Sequence, residues 1–504
     1  MADKFSFGTI QFDVSIAPSG AAKRRDPEAA FNLAVLGDFS GRSQRGVVEP
    51  IAQRRIWRVD CDNFDEVMGK LGAKLGLWLS QKAGDAIELP FQSLEDFQPD
   101  RLLKQAAPLA ALLQQRKRLL DPSTRAAAAA ELQAVLASKA SPVKPETGPP
   151  ATAESNDDTL ARLLGGAPPS QSAGSAPKSG AGIERMIQNI VAPSVVVPAS
   201  AQETALLSVV ELELSAMLRS ILHHPDFQAM EAAWRGIDLL VRNFGAEENL
   251  KIYLVDISKK ELAADLQAND SLESSGICKL IARAADDQRW TVWLGQYTFS
   301  NNLADIEMLG RLAKVSAQTR APFLSGGSPH LAGCDAFDAH PDPDDWKEPI
   351  PTEVQEAWNA LRKLPEASFI GLALPRFLLR QPYGKESDPI DAFPFEELPS
   401  DLRHETFLWG NASILCGHIL AGAFQAEGWE MKASGYGEVG ELPVYTFEED
   451  GETKAKPCAE AWLNERAGSV MIGKGLMPVL SIRGRDAVRV AALQSVAGSA
   501  LRIG

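Results

Sequence analysis

Strand-like and helix-like segments alternate along the second half of the chain, and this alternation limits the folds that are open to it. Short apolar runs bounded by turn residues are typical of buried strands, whereas apolar residues at steps of three and four are typical of helices. A chain that alternates in this way forms a three-layer α/β core with some parallel pairing. We therefore predict an α/β fold with a mixed-sheet core. The strand-like segments are residues 251–257, 290–300, 321–325 and 368–374, and the helix-like segments are residues 304–318 and 353–364.

Composition divides the chain into two globular parts. Residues 142–180 are dense in Pro, Ala, Ser and Gly, including PVKPETGPPATAES and GGAPPSQSAGSAPKSG. Such a stretch buries too little apolar area to offset the entropy of ordering it, which predicts a mobile linker. We accordingly predict a smaller N-terminal α/β domain at residues 1–122, a helical tail and linker at 123–182, and a larger domain at 183–504.

Charge and cysteine usage exclude several classes of function. The net charge of -15 argues against nucleic acid as the main partner, because phosphate binding requires clustered Lys and Arg. The five cysteines are scattered and never at CxxC spacing, so neither disulfides nor a zinc ribbon is expected. No apolar run has the length of a membrane span, and residues 1–14 lack the pattern of a signal peptide. We expect a cytoplasmic protein with no cofactor, no metal and no membrane insertion.

The segment ILHHPDFQAMEAAWRGIDLL, residues 221–240, predicts a break between two amphipathic helices. Pro225 fixes φ and lacks an amide hydrogen, so it ends the first helix and opens the second. Residues at steps of three and four form one face of each helix. These are Leu207, Val210, Leu214, Met217, Leu218 and Ile221 before the break, and Phe227, Met230, Trp234, Ile237 and Val241 after it.

The N-terminal part contains a second set of recognisable segments. Residues 31–42 (FNLAVLGDFSGR) predict an apolar strand followed by a turn, and residues 54–71 predict a strand that leads into a helix capped by Asp62 or Asn63. In residues 87–120, Ser93 is placed to cap toward Asp96 ahead of a long helical stretch. Residues 5–16 alternate imperfectly, which predicts a strand that pairs within the domain or with a neighbour's sheet edge.

Both parts resemble the contractile sheath of type VI secretion systems. The histidine pair, Pro, Phe-Gln and Trp-Arg-Gly of residues 221–240 occur in the order found in the large subunit (TssC/VipB), and the resemblance continues through LGQYTFSNN, ALPRFLLRQPYG, FPFEE and FLWGNAS. LGDFSG, DCDNFD and FQSLEDFQP in residues 31–120 resemble the small subunit (TssB/VipA). The chain therefore looks like a fusion of a small and a large sheath subunit.

The resemblance implies a structural role. Members of this family form a helical tube with other sheath subunits, as homo- or hetero-oligomers, around an inner tube protein on a baseplate, and an AAA+ unfoldase dismantles the contracted tube. Relative to the family this chain ends early, at Gly504, so a sheath-derived cap, terminator or assembly regulator that does not polymerise is the alternative. A soluble α/β enzyme is the distant third reading.

A short amphipathic segment, DDTLARLL, interrupts the predicted linker. Two acids at its start suit a helix N-terminus, and Leu160, Leu163 and Leu164 fall on one side. Two interpretations remain open: a docking peptide, or a marginal helix without a partner. Under the family resemblance, this segment is the candidate unfoldase-docking helix by type and location.

Two motifs contain the candidate interface residues. Arginines beside apolar residues form bidentate, partly buried ion pairs that can fix one subunit against another. We select Trp234 and Arg235 in the Trp-Arg-Gly step, and Arg376, Arg380 and Tyr383 in LPRFLLRQPYG. Internal ion pairs with acids such as Glu396 are the alternative for these arginines.

No motif gives positive support for catalysis. Gly435, Gly437 and Gly440 spell GxGxxG, but a strand-like segment follows them, not the helix that a dinucleotide site requires. The adjacent pair His223 and His224 lacks further ligands for a metal, and the loop from Cys334 to PDPDD is typical of a solvated acidic loop. We therefore expect that the protein is not an enzyme.

Overall fold

The structure is a computed structural model. It describes residues 5, 7–9, 28–46, 49–78, 86–139, 199–268, 270–285, 289–398, 403–432, 437–449 and 451–503. The chain forms two compact units, one made of Met1–Ala107 with Met217–Gly504 and the other of Pro108–Ala216. The first unit therefore combines sequence from both predicted domains, while the limits at 122 and 182 stay a prediction.

A nine-stranded mixed sheet forms the centre of the first unit. Its strand order is β11-β15-β14-β8-β7-β6-β1-β5-β2. The six strands from β14 to β5 are parallel, whereas β2, β15 and β11 at the two edges are antiparallel to their neighbours. The bounds are β1 Phe31–Gly37, β2 Ile56–Val59, β5 Leu250–Asp256, β6 Val292–Phe299, β7 Phe323–Gly327, β8 Ile370–Leu374, β11 Gly437–Val439, β14 Met477–Ser481 and β15 Val488–Val490.

Strand β1 comes from the N-terminal part of the sequence but lies between two strands of the C-terminal part. It pairs in parallel with β5 along its whole length, from Phe31 opposite Leu250 to Gly37 opposite Asp256. On its other side it pairs with β6, with Leu33 opposite Val292. All seven residues of β1 are buried, as expected for a strand with helices on both faces. The two sequence regions thus share one sheet.

Helices cover both faces of this sheet. On one face, helix α12 (Ser413–Glu427) packs closely on β6, since a Cβ on Gly417 would lie 2.4 Å from a Leu294 side-chain carbon. Helix α7 (Pro225–Phe244) lies beside α12 on the same face. On the other face, α8 to α11 enclose a core that contains Ala34, Val255 and Leu309. The predicted three-layer α/β core is confirmed. The helices of the described residues are α1 Arg42–Arg45, α2 Phe64–Leu71, α3 Pro99–Gln105, α4 Ala107–Leu120, α5 Arg125–Lys139, α6 Ala199–Leu222, α7 Pro225–Phe244, α8 Lys259–Gln267, α9 Gly276–Ala285, α10 Leu303–Thr319, α11 Thr352–Lys363, α12 Ser413–Glu427 and α13 Glu465–Gly473.

Within the described ranges, three small two-stranded sheets accompany the large one. They pair β3 with β4, β9 with β10, and β12 with β13, all antiparallel. Their bounds are β3 Ala73–Leu77, β4 Ile87–Phe91, β9 Phe377–Leu378, β10 Trp409–Gly410, β12 Tyr445–Glu449 and β13 Glu452–Lys456. A short 3-10 helix, Leu94–Phe97, follows β4 and carries the predicted capping box between Ser93 and Asp96.

The strand predicted at residues 5–16 lies largely outside the described residues. Of its described part, Thr9 forms an isolated parallel bridge with Ser271. Gly437 of the predicted GxGxxG opens β11, which pairs with β15, so this glycine leads into an extended segment.

In the second unit, the residues that the structure describes belong to α4, α5 and α6 and to the short turn between α4 and α5. Arg116 of α4 forms a 2.7 Å ion pair with Glu211 of α6, and Arg118 of α4 forms a 2.7 Å pair with Glu131 of α5. The first pair connects helices that are distant in sequence, and the second connects two successive helices. In the part of the chain that the structure describes, no helix has both the length and the apolar character that crossing a membrane requires.

Candidate assembly site

Trp234 joins the Trp-Arg-Gly step of α7 to the turn that follows β1. Its side chain is fully buried, and Nε1 donates a hydrogen bond to the main-chain oxygen of Phe39 at 2.9 Å. The rings of Phe39 and Phe64 meet the indole edge-on, with centroids 5.4 and 5.7 Å away. A large aromatic side chain with a satisfied N–H is a strong anchor. Trp234 therefore packs inside the subunit, between segments of the two sequence regions.

A second aromatic cluster lies at the start of α7. Phe227 of α7 meets Phe91 and Phe97 edge-on, with ring centroids 5.9 and 5.6 Å away, and Phe91 stacks on Phe97 at 4.3 Å. All three rings are almost completely buried. The FQSLEDFQP block and residues 221–240, which both carry the family resemblance, thus pack against each other.

The carboxylate of Asp256 holds the turn after β1 in place. Asp256 ends β5, and its Oδ1 accepts hydrogen bonds from the main-chain N–H groups of Phe39 at 2.9 Å and Ser40 at 3.2 Å. The Ser40 hydroxyl donates to Oδ2 at 2.7 Å. Burial raises the pKa of Asp256, an effect that the Ser40 hydrogen bond opposes. One buried acid of the C-terminal region therefore fixes the main chain of the N-terminal region.

A buried group of charged and polar side chains connects α7 to the loop after β8. We call the set Glu231, Arg235, Arg380, Tyr383 and Glu397 the ionic cluster. Arg380 Nε donates to Glu231 Oε1 at 2.9 Å, and its two terminal nitrogens donate to the two oxygens of Glu397 at 2.7 and 3.0 Å. Arg235 Nε also donates to Glu231 Oε1, at 2.8 Å. The bidentate geometry fixes the guanidinium plane of Arg380.

The electrostatics of the ionic cluster favour the charged forms of Arg380 and Glu397. Burial acts to raise the pKa of Glu397, but the charge of Arg380, the nearby His223 side chain and the hydrogen bonds from Arg380 outweigh it and lower the pKa to about 2. Burial acts to lower the pKa of Arg380, yet Glu231 and Glu397 raise it well above its usual value. Burial raises the pKa of Tyr383 to about 12. Arg380 and Glu397 therefore stay ionised at neutral pH, with Tyr383 neutral.

Arg376 belongs to a separate and more exposed pair. Its Nε lies 3.2 Å from both oxygens of Glu460, which also binds His404 Nε2 at 2.8 Å. Burial acts to raise the pKa of Glu460, whereas the hydrogen bond with His404 and the charge of Arg376 lower it to about 2. The Arg376 side chain keeps 43% of its surface exposed, in contrast to 7% for Arg380. Arg376 thus has surface left for a further contact.

The structure brings four of the five candidate interface residues to one region and leaves the fifth apart. Arg235, Arg380 and Tyr383 share the ionic cluster, Trp234 lies next to Arg235 on α7, and Arg376 pairs elsewhere. Arg380 binds two acids, Glu231 and Glu397, in place of Glu396, which we named from the sequence. The roles of these residues between subunits stay a prediction. The candidate docking residues Leu160, Leu163 and Leu164 lie outside the described residues.

Sequence reasoning missed both acids of the ionic cluster. Glu231 had a usable signal, because it falls four residues after Phe227 and three before Trp234, on the apolar face of α7. An acid on such a face requires a buried partner. Glu397 carried no comparable signal. The histidine pair has local roles: His224 caps α7, and His223 Nε2 lies 3.6 Å from Glu397 Oε1.

These contacts define a structural building block of mixed α/β fold, in which a small and a large sequence region fold around one sheet. A family model described as "EvpB/VC_A0108, tail sheath N-terminal domain" (VipB) matches residues 204–497. Because this match covers more than half of the sequence, the chain belongs to the VipB tail sheath family. A second model, "Type VI secretion system, VipA, VC_A0107 or Hcp2", matches residues 9–141. The chain therefore combines small-subunit-like and large-subunit-like sheath sequences, as the resemblance predicted.

One curated relative is similar over the larger region. The type VI secretion system sheath protein TssC1 of Pseudomonas aeruginosa strain PAO1 is 32% identical over 302 residues. The aligned part covers 58% of this chain and 61% of that protein. The chain thus spans less than two thirds of the relative's length.

Proposed function

We propose that this chain is a structural subunit of a type VI secretion contractile sheath, which assembles with like subunits around an inner tube and powers effector delivery. The position of β1 carries the proposal, because the small-subunit-like region supplies a central strand to the sheet of the large-subunit-like region. One chain then provides the building block that two separate subunits form in the family. To repeat along a helical tube, this building block requires heterologous contacts between successive copies that do not close into a ring.

The proposed role is mechanical, and the subunit performs no catalysis. Contraction releases free energy that is stored in a metastable packing of neighbouring subunits, so it needs no bond chemistry within the chain. The buried ionic cluster suits such a role. Arg380 and Glu397 bind each other within one subunit by bidentate hydrogen bonds, which supports a subunit that stays rigid while its surroundings rearrange.

The partners follow from the proposed role. They are other sheath subunits, an inner tube protein and a baseplate in the cytoplasm, and an AAA+ unfoldase that recognises Leu160, Leu163 and Leu164. Arg376 and Arg235 are the interface candidates that we retain for direct contacts, because 43% and 21% of their side-chain surfaces are exposed. The buried Trp234, Arg380 and Tyr383 act by holding the segments that carry Arg376 and Arg235.

Electron microscopy of negatively stained protein tests the proposal. We expect the purified chain, alone or with the inner tube protein, to form tubes of regular diameter. As a matched pair, Arg376→Glu should reduce tube formation, whereas Arg466→Glu, in an exposed ion pair with Asp344, should leave it unchanged. Particles that bind only the ends of preformed sheath would support the cap instead. Monomers that neither form tubes nor bind sheath would contradict both roles.

A further inference from the structure

The side chain of Trp78 projects from the hairpin that β3 and β4 form. It keeps 65% of its surface exposed, the largest fraction among the large apolar side chains that the structure describes. Residues of β3 alternate between buried and half-buried positions from Ala73 to Leu77, so Trp78 follows on the outward face. Tryptophan is enriched among the side chains that contribute most to protein interfaces. Trp78 is therefore a candidate anchor for a partner.

An acid accompanies Trp78 on the outward face of the hairpin. Gly76 lies two residues before Trp78 on that face and is paired with Glu88 of β4. Diagonal neighbours of this kind lie about 7–8 Å apart. Glu88 Oε2 binds Lys74 Nζ at 2.6 Å, yet 67% of the glutamate side chain stays exposed, in contrast to 40% for the lysine. The surface around the indole thus presents a carboxylate.

The hairpin lies on the α7 side of the large sheet. Phe91, the last residue of β4, meets Phe227 of α7 with ring centroids 5.9 Å apart. A Cβ on Gly41 would lie 2.4 Å from Lys74 O and 3.1 Å from Met230 Cε, so the turn after β1 contacts both β3 and α7. Helices α9 and α10 belong to the core on the opposite face of the sheet. Trp78 and these two helices therefore lie on different sides of one subunit.

A groove of about 470 Å³ lies between α9 and α10. Ile281, Trp290 and Val315 give it a buried apolar lining. Gln318 is exposed beside them, and its amide oxygen can accept a hydrogen bond from an indole N–H. A concave apolar surface of this size has room for an aromatic side chain. The groove thus has the shape and chemistry to receive a tryptophan.

We propose that Trp78 of one copy of this chain enters the α9–α10 groove of a second copy. The charges of the two surfaces agree, because the groove carries two exposed cations, Lys279 and Arg289, against one acid, Glu273. Glu88 beside the indole then faces Lys279. The inference rests on the proposed function, since it names one contact between like sheath subunits. Anchor and groove are different surfaces, so the contact is heterologous, the kind that a helical tube repeats.

The size of the contact indicates that it acts only in a repeated array. One aromatic side chain buries about 150–250 Å², whereas a stable pair of proteins buries about 800 Å² on each partner. A single Trp78 contact is therefore weak, and neighbouring contacts along a tube add to it. We expect no stable dimer of the purified chain, and we expect the contact to form at high protein concentration and in tubes.

Zero-length cross-linking with a carbodiimide tests the contact, because this reagent joins a carboxylate to an amine that touches it. In a concentrated mixture of ¹⁵N-labelled and unlabelled chains, mass spectrometry should detect a link from Glu88 of one copy to Lys279 of another. Trp78→Ala should reduce the yield at least about tenfold. Ala282→Trp, which fills the groove from an exposed position of α9, should do the same. Trp462→Ala, at a side chain that is 37% exposed, should keep the wild-type yield.

A mixture of the two variants tests the direction of the contact. Only Trp78→Ala keeps an open groove and only Ala282→Trp keeps the indole, so links should run from Glu88 of Ala282→Trp to Lys279 of Trp78→Ala. Links in both directions, an unchanged yield in Trp78→Ala, or no such link in the wild type would each overturn the inference. Links without tubes would contradict the proposed function alone, and tubes without links would contradict the Trp78 contact alone.

Folding of the variants is checked separately. Trp78 and Ala282 are both exposed, so their substitutions should leave the urea unfolding transition at its wild-type midpoint. A loss of cross-linking with an unchanged midpoint supports the contact.

Discussion

Trp234 Nε1 donates a 2.9 Å hydrogen bond to the main-chain oxygen of Phe39, although the two residues are 195 positions apart in the sequence. The bond joins a helix of the large-subunit-like region to a turn of the small-subunit-like region. Since both residues are fully buried, the contact belongs to the interior of the subunit. It identifies Trp234 as a residue that holds the two regions together.

Two substitutions of Trp234 should distinguish the contribution of its packing to stability from that of its hydrogen bond. Trp234→Phe keeps most of the volume but leaves Phe39 O without its donor, so we expect a loss of about 1–3 kcal/mol in the free energy of unfolding. Trp234→Ala also creates a cavity and should cost about 3–5 kcal/mol. Urea unfolding measures both. Trp462→Phe, at a side chain that is 37% exposed, is the control, and equal stability of Trp234→Phe and wild type would contradict the role of the bond.

Breaking the ionic cluster should be far more costly than breaking a surface pair. Arg380→Met removes the partner of two buried acids, Glu231 and Glu397, and we expect it to lower the free energy of unfolding by about 3–5 kcal/mol. Arg466→Met, which breaks an exposed pair with Asp344, should leave the unfolding transition unchanged. Chemical denaturation of both variants checks this. A similar effect of the two substitutions would show that the buried cluster contributes no more to the free energy of unfolding than an exposed ion pair.

The stability of the fold should fall as the pH decreases from about 6.5 to 4. Burial lowers the pKa of His418 to about 4 from its usual 6.5, so the unfolded state binds the proton first in this range. The contribution of His418 to the free energy of unfolding is fully present above pH 6.5 and is lost as the pH falls through the pKa of the folded state. This contribution is at most about 3 kcal/mol. Glu397 and Glu460, with pKa values lowered to about 2, extend the loss below pH 4.5.

Substitution of His418 isolates its share of this pH dependence. His418→Leu should flatten the dependence of the unfolding free energy between pH 6.5 and 4.5, as measured by urea unfolding at several pH values. His330→Gln, at a side chain that is 42% exposed, should keep the wild-type slope. If His418→Leu retained the full slope, another group would be responsible.

Loss of the apolar side of the DDTLARLL segment should abolish unfoldase binding. The double substitution Leu160→Asp and Leu164→Asp places charges where we expect apolar contacts, and desolvating them opposes binding. Arg162→Asp places an acid on the side opposite the leucines and serves as the control. Fluorescence anisotropy with the AAA+ unfoldase of the same secretion system measures the affinity. Unchanged affinity of the double variant would remove this segment from consideration.

Local patterns in the sequence predicted the elements well. The strand expected at residues 251–257 is Leu250–Asp256, and the helix expected at residues 304–318 is Leu303–Thr319. The capping pair Ser93 and Asp96 was also predicted correctly. Each of these features depends on residues that are close in sequence, where periodicity and capping chemistry are decisive.

The same patterns could not predict which segments contact each other when they are far apart in the sequence. An apolar run predicts that Phe31–Gly37 is a buried strand but does not say which strands enclose it, because any parallel neighbour buries it equally well. The partner of Arg380 shows the same limit on a smaller scale. Glu396 and Glu397 are adjacent acids with opposite side-chain directions available to them, and only the folded loop selects Glu397. The sheath family followed from motif order instead, which local physics does not supply.

The central place of β1 also sets the order in which a ribosome can complete the subunit. Phe31 emerges early, yet its partner Leu250 follows 219 residues later, and the opposite neighbour later still. At ordinary elongation rates this strand waits about 10–40 s before either side is paired. If the two regions were separate polypeptides, they would have to meet by diffusion before β1 could pair. A single message instead delivers both pieces at a fixed ratio and within reach of each other, so the exposed apolar strand has its partner at hand as soon as that partner is made.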